Sequence, residues 1–261
     1  MSKFLYFVSF RILMRKRGQV GTYVIIGLVL VVLLVGGYFL RGAIVEKRLS
    51  PEEIALQKEA IDVKLIVENC FDKAVKNGLL ILGLQGGHLR YPEPGYDLTR
   101  GLVVGYGYYL GENLLPSKKE IISAMNGYIP FEMQRCADFS DIGFEVEPGT
   151  ASSRFNINDD SVYAALSWPI KVSKSEVEIV FSDVYEENYN VRLGRLLVIA
   201  NEIVSMEIED PSVIELSYLD SIGMNVTVFT IDENVNLYSI VDEASAIENS
   251  FYLFQFTNKF G

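Results

Sequence analysis

The chain has one histidine, His88, so a Ser-His-Asp or Cys-His site would have to use it. It follows Gly86-Gly87 in a loop, and no Gly-x-Ser-x-Gly motif stands beside it. One imidazole also excludes metal sites built on two histidines. Carboxylates are plentiful. Asp159-Asp160, Glu186-Glu187 and Asp232-Glu233 are adjacent pairs, and glycoside hydrolysis uses two carboxyl groups. Each pair reads equally as a turn or a solvated surface. Asn156-x-Asn158-Asp159-Asp160 offers oxygen ligands for calcium, but the calcium-loop spacing with its distal Glu is missing. No glycine-rich loop ends in Gly-Lys-Ser/Thr, so no phosphate cradle is signalled. The expectation is a non-enzymatic protein without cofactor or metal.

Recognition has better candidates. Tyr91, Tyr96, Tyr106, Tyr108 and Tyr109 crowd one segment among prolines and glycines. Tyrosine presents flat apolar area with a polar tip, which suits contact with a glycan or a protein. The same residues would equally serve as a tyrosine-rich strand packed on helices. Asn225-Val226-Thr227 is an N-glycosylation sequon, read here as mid-strand. Cys70 and Cys136 are the two cysteines. They fit a disulfide in an oxidising compartment, or two free thiols on apolar helix faces.

The elements that position these residues follow from periodicity and charge. Val20 to Leu40 holds no charged residue and reads as a single transmembrane helix. Residues 1–41 contain six Lys/Arg and no acid, so the net charge of −11 splits into +6 there and −17 beyond. The basic flank predicts a cytoplasmic N-terminus and a C-terminal domain outside, a single-pass protein of the cell membrane with the lipid bilayer as one partner. An outer part this acidic does not bind nucleic acid, because phosphate contacts need Lys and Arg. Its remaining partner is expected to be an envelope protein or glycan. Aromatic content of 12% excludes a disordered stalk.

Five segments result: a basic and apolar tail over 1–19, the span over 20–40, a linker over 41–50, a helical subdomain over 51–140 and an antiparallel α+β subdomain over 141–261. Ser50-Pro51-Glu52-Glu53 reads as a helix start, and the helix runs to about Leu84, where Gln85-Gly86-Gly87 stops it. Ser117 to Glu120 is a capping box opening a second helix with Cys136 on its apolar face. Two such helices can pack and bring Cys70 near Cys136. Strands are expected from Phe144 to Glu147, Arg154 to Ile157, Ser161 to Val172 and Val177 to Val184. A helix over Leu193 to Glu207 precedes strands over Gly223 to Ile231, Asn236 to Val241 and Phe251 to Thr257. The fold class is α+β: two packed helices, then an antiparallel sheet with one further helix.

The opening Arg17-Gly18-Gln19-Val20-Gly21-Thr22-Tyr23 resembles an uncharacterised family of archaeal single-pass membrane proteins. So do Cys70 with Gly83-Leu84-Gln85-Gly86-Gly87, and the terminal Tyr252-Leu253-Phe254-Gln255-Phe256. The resemblance implies an archaeal envelope protein and brings no named activity. The same opening is similar to the class III signal of archaeal type IV pilins. That implies, as an alternative, a pilin-like subunit cut between Gly18 and Gln19. A surface hydrolase using the paired carboxylates is a third reading.

Overall fold

A computed structural model describes residues 25–35, 54, 56, 58, 60–99, 101–211 and 213–261. The chain divides into two compact units, Met1–Ser50 and Pro51–Gly261. In the first, residues 25–35 form a helix whose side chains are exposed. Eleven residues reach about 16 Å, roughly half of an apolar bilayer core. Among the described residues no helix is long and apolar enough to cross a membrane. The expected transmembrane helix over Val20 to Leu40 is therefore not found among the described residues, which show helix over 25–35. Its flanks, the tail over 1–19 with the Gly18-Gln19 junction, the linker over 41–50 and the Ser50-Pro51 helix start lie outside the described residues.

The second unit is α+β. Helix α1 (Ile61–Leu84) buries ten residues, including Val67, Phe71, Val75 and Leu79, because apolar residues recur at three- and four-residue steps. It ends where Gly86 and Gly87 take φ of 67° and 90°, conformations that cost glycine little. Helix α2 (Lys118–Cys136) opens with the expected capping box: the Ser117 hydroxyl accepts from the Glu120 amide while the Glu120 carboxylate accepts from the Ser117 amide. Ile121, Met125, Ile129 and Met133 form its buried stripe. At Gly78 the two helices meet so closely that an added Cβ would stand 2.8 Å from the Met125 sulfur. A disulfide joins Cys70 to Cys136 across this pair.

Strands β1 (Gly95–Thr99), β2 (Leu102–Tyr109), β10 (Asn225–Asp232), β11 (Val235–Ile247) and β12 (Ser250–Lys259) form the main sheet in the order β1-β2-β12-β11-β10. The short β3 (Glu112–Asn113) pairs with β2. The sheet is not purely antiparallel, as expected, but mixed: β12 runs parallel to β2, a pairing across about 150 residues that no local pattern announces. Tyr252, Phe254 and Phe256 point to one face and are sealed there. The Tyr252 hydroxyl donates to the Leu79 carbonyl of α1 at 2.7 Å. A Cβ on Gly83 would collide with the Leu253 carbonyl, so the end of α1 lies against β12. Helix α3 (Leu193–Glu209) covers the same face, and the short α4 (Leu216–Ser221) follows it.

The remaining strands make two three-stranded sheets, β4-β7-β8 and β5-β6-β9. They are the halves of one meander. Each long strand breaks at the same level: β4 (Glu145–Pro148) from β5 (Ser152–Ile157), β6 (Val162–Ser167) from β7 (Ile170–Lys174), β8 (Val177–Phe181) from β9 (Val184–Tyr189). Proline cannot donate to a ladder, and Pro148 and Pro169 mark two of the breaks. The Trp168 indole donates to the Gly149 carbonyl at 2.9 Å and holds the corner. The strand expected over Ser161 to Val172 is thus two. On α2, Asn126 accepts from the Phe155 amide at 2.7 Å, fixing β5 against the helix. Contacts of this kind tie the strands after 141 to the helices before it within the Pro51–Gly261 unit.

Candidate functional site

A groove of about 890 Å³ opens between the segment leaving α1 and the solvent side of α2. One wall is Gly87 to Glu93, and the other is built on α2 from Glu120 to Phe131. The wall is held from behind. Gly105 carries no side chain, and the His88 ring fills that space: a Cβ there would stand 2.7 Å from the imidazole. With its nitrogen turned toward acceptors, the Gln85 amide donates to the carbonyls of His88 and Arg90 at 3.3 and 3.2 Å. The floor on α2 is small. Ser123, Ala124 and Gly127 line it, and nothing lies within 4 Å of where a Gly127 Cβ would be.

Aromatic rings stand at the rim. Tyr91 is 61% exposed, and its hydroxyl donates to the Gly101 carbonyl at 3.3 Å. Phe131 is 57% exposed, with the Arg135 guanidinium 5.5 Å from its ring centre. Tyr128 packs its ring edge near Gly78 and also faces the groove. Burial lowers the His88 pKa below its ordinary value, against the pull of Glu120. The ring is therefore neutral at pH 7, with one nitrogen to donate and one to accept. The Glu120 carboxylate is engaged by Ser117, whose hydrogen bonds hold its pKa low. Arg90 and Glu93 add one charge of each sign. The groove thus offers flat rings, a small floor and a few polar groups without a dominant charge.

The tyrosine cluster is divided by the fold. Tyr91 reaches the groove. Tyr108 is buried in the core against Phe260, their ring centres 5.4 Å apart. Tyr96 and Tyr106 share the sheet face opposite the helices, since Tyr96 pairs with Val104 two residues before Tyr106. Tyr106 is 7% exposed and has the ring of Tyr109 at 4.9 Å. Five consecutive-looking tyrosines therefore serve three different surroundings. The acidic pairs stay apart as well. Asp159-Asp160 lies between β5 and β6, Glu186-Glu187 on β9 and Asp232-Glu233 at the β10–β11 turn, all exposed. The Asn156 amide donates to Asn158 and the Asn158 amide to Ser161, each at 3.4 Å, as in a turn. Among the described residues no three His, Cys, Asp or Glu side chains gather as a metal site.

Two buried acids carry no sequence signal. Asp242 accepts two hydrogen bonds from Arg192, one at 2.9 Å, and another from Ser245. Burial raises its pKa, but these bonds and the Ala244 amide outweigh it and the net shift is downward. Glu207 is 2% exposed and accepts from the Tyr238 hydroxyl and the Asn258 amide. Here burial wins and the pKa is raised. No charge partner stands in the sequence near either, so only the packing of α3 on the sheet reveals them. Comparison of the chain with protein-family models, curated proteins and solved structures gives no match.

Proposed function

We propose that the 51–261 unit is a non-enzymatic recognition domain of the cell envelope, working outside the cytoplasm and taking a glycan in the groove beside α2. The rim carries this reading: Tyr91 and Phe131 hold their rings largely in solvent on either side of a small floor. Sugar rings stack on such planes through their apolar C–H faces, while neutral His88 with Ser123 and Arg90 supplies donors and acceptors for hydroxyls. Arg90 against Glu93 and Glu120 leaves the lining one net negative charge, which disfavours an anion and suits a neutral, polar ligand. The Cys70–Cys136 disulfide supports the compartment, because such bonds persist in oxidising surroundings.

The test is titration of the full chain with oligosaccharides released from the host envelope, followed by calorimetry. Wild-type protein should bind them, and Tyr91→Ala and Phe131→Ala should each weaken binding about fivefold without moving Tm, since stacking contributes about 1 kcal/mol per ring. Binding that both variants leave intact, or no binding at millimolar sugar, would overturn the reading.

A further inference from the structure

A strand at the end of a sheet exposes a row of unpaired N–H and C=O groups, and proteins blunt such edges with charge, proline, shortness or a covering element. Nearly every edge here is treated in that way. β1 has five residues and carries Asp97, and β3 is two residues long with Glu112. β4 holds Glu145, Glu147 and Pro148. β5 holds Arg154 and is tied to α2 through Asn126. β8 carries Glu178, and β9 carries Glu186 and Glu187. The exception is β10. Among the described residues it is the last strand in its sheet, with β11 on one side and no strand on the other. Its eight residues, Asn225 to Asp232, include five β-branched ones, Val226, Thr227, Val228, Thr230 and Ile231, and no charge before Asp232 at the end. Phe229 stands 52% exposed on it.

The same strand begins with the sequon. Asn225 is its first residue rather than a mid-strand one, and Asn225 and Thr227 are both exposed on one face. We propose that Asn225 carries an N-linked glycan, and that this glycan guards the β10 edge where the other edges use charge. The inference rests on the domain lying outside the cytoplasm. In the transfer, Asn225 Nδ2 bonds to the anomeric carbon of a sugar borne on a polyprenyl phosphate or diphosphate. The sugar–phosphate C–O bond breaks, the lipid leaves as the free phosphate or diphosphate, and an amide proton goes to a base of the transferase. The attached chain is hydrated and mobile. An eight-residue strand spans about 27 Å, so a glycan of several sugars at one end sweeps most of it and hinders an incoming strand.

Peptide mass analysis of protein from its own cells tests the site. The Asn225 peptide should be heavier by a glycan, and Asn225→Gln and Thr227→Val chains should both lose that mass. In sedimentation the two glycan-free chains should self-associate at least tenfold more tightly than wild type, and adding Thr230→Lys should return them to the wild-type level. An unmodified Asn225 peptide overturns the proposal, as do glycan-free chains that sediment like wild type, or self-association that Thr230→Lys does not relieve. Non-reducing mass analysis of the same sample separates the two readings: an unmodified Asn225 with the Cys70–Cys136 bridge intact removes the glycan alone, whereas loss of both removes the compartment on which it rests.

Discussion

Asp242 and Glu207 are sealed beneath α3 and every oxygen of theirs is spoken for, whereas His88, Ser123 and Arg90 stand in the groove where solvent reaches them. Both regions concentrate polar groups beside aromatic rings. In the first, Tyr238 and Asn258 spend their hydrogen bonds inside the fold. In the second, Tyr91 keeps its ring outside and uses only its hydroxyl to hold position. The contrast separates polarity that specifies the fold from polarity left for a ligand. A second contrast lies inside the sealed region. Asp242 faces a guanidinium near the start of α3 and stays ionised, while Glu207 near the end of α3 has only neutral partners, and its pKa rises. A helix favours negative charge at its start and disfavours it at its end, so the two positions match the directions of the two shifts.

The comparison can be broken by substitution, and the held side should show the largest effects. Replacing Cys70 and Cys136 by serine opens a loop of 66 residues and should cost about 4 kcal/mol, read as a lower denaturant midpoint. Asp242→Asn strands the Arg192 charge and should cost about 3 kcal/mol. Its stabilisation in the wild type is present above the ordinary value of 3.8 and disappears as pH falls through the lower folded value. Glu207 has the opposite sign. Its folded form holds a proton that the unfolded chain releases near 4.5, so stability declines as pH rises from there through the raised folded value. Glu207→Gln should remove that decline: the wild-type-minus-variant difference in Tm should fall between pH 4.5 and pH 8. A difference that stays constant across that range would show that Glu207 is ionised when folded.

The smallest effect on stability is expected in the groove. Gly127→Leu places a side chain in open space and removes a helical glycine, so it should leave stability unchanged or raise it by about 0.5 kcal/mol while blocking the envelope-oligosaccharide binding proposed above. A clear loss of stability would instead make this floor part of the packed fold and end the distinction between held and offered polarity.

Local signals in the chain determined local structure. Ser117 with Glu120 marks the start of α2, Gly86-Gly87 marks the end of α1, and the alternation of Tyr252, Phe254 and Phe256 marks the buried face of β12, because capping, left-handed turns and side-chain alternation act over two to four residues. Cysteines on the apolar stripes of two helices anticipated a meeting that the structure makes as the Cys70–Cys136 bridge. Tertiary structure decided the rest. The apolar run over Val20 to Leu40 predicted a span that the described residues do not show. Five neighbouring tyrosines gave no hint that the chain would send Tyr108 to the core and Tyr91 to the groove. The parallel β2–β12 pairing, the corner at Trp168, the acids under α3 and the groove itself all join residues distant in sequence, as Asn258 does in accepting from the Tyr108 amide. Burial and pKa depend on what packs from elsewhere in the chain, and that is a property of the assembled fold rather than of any short run of residues.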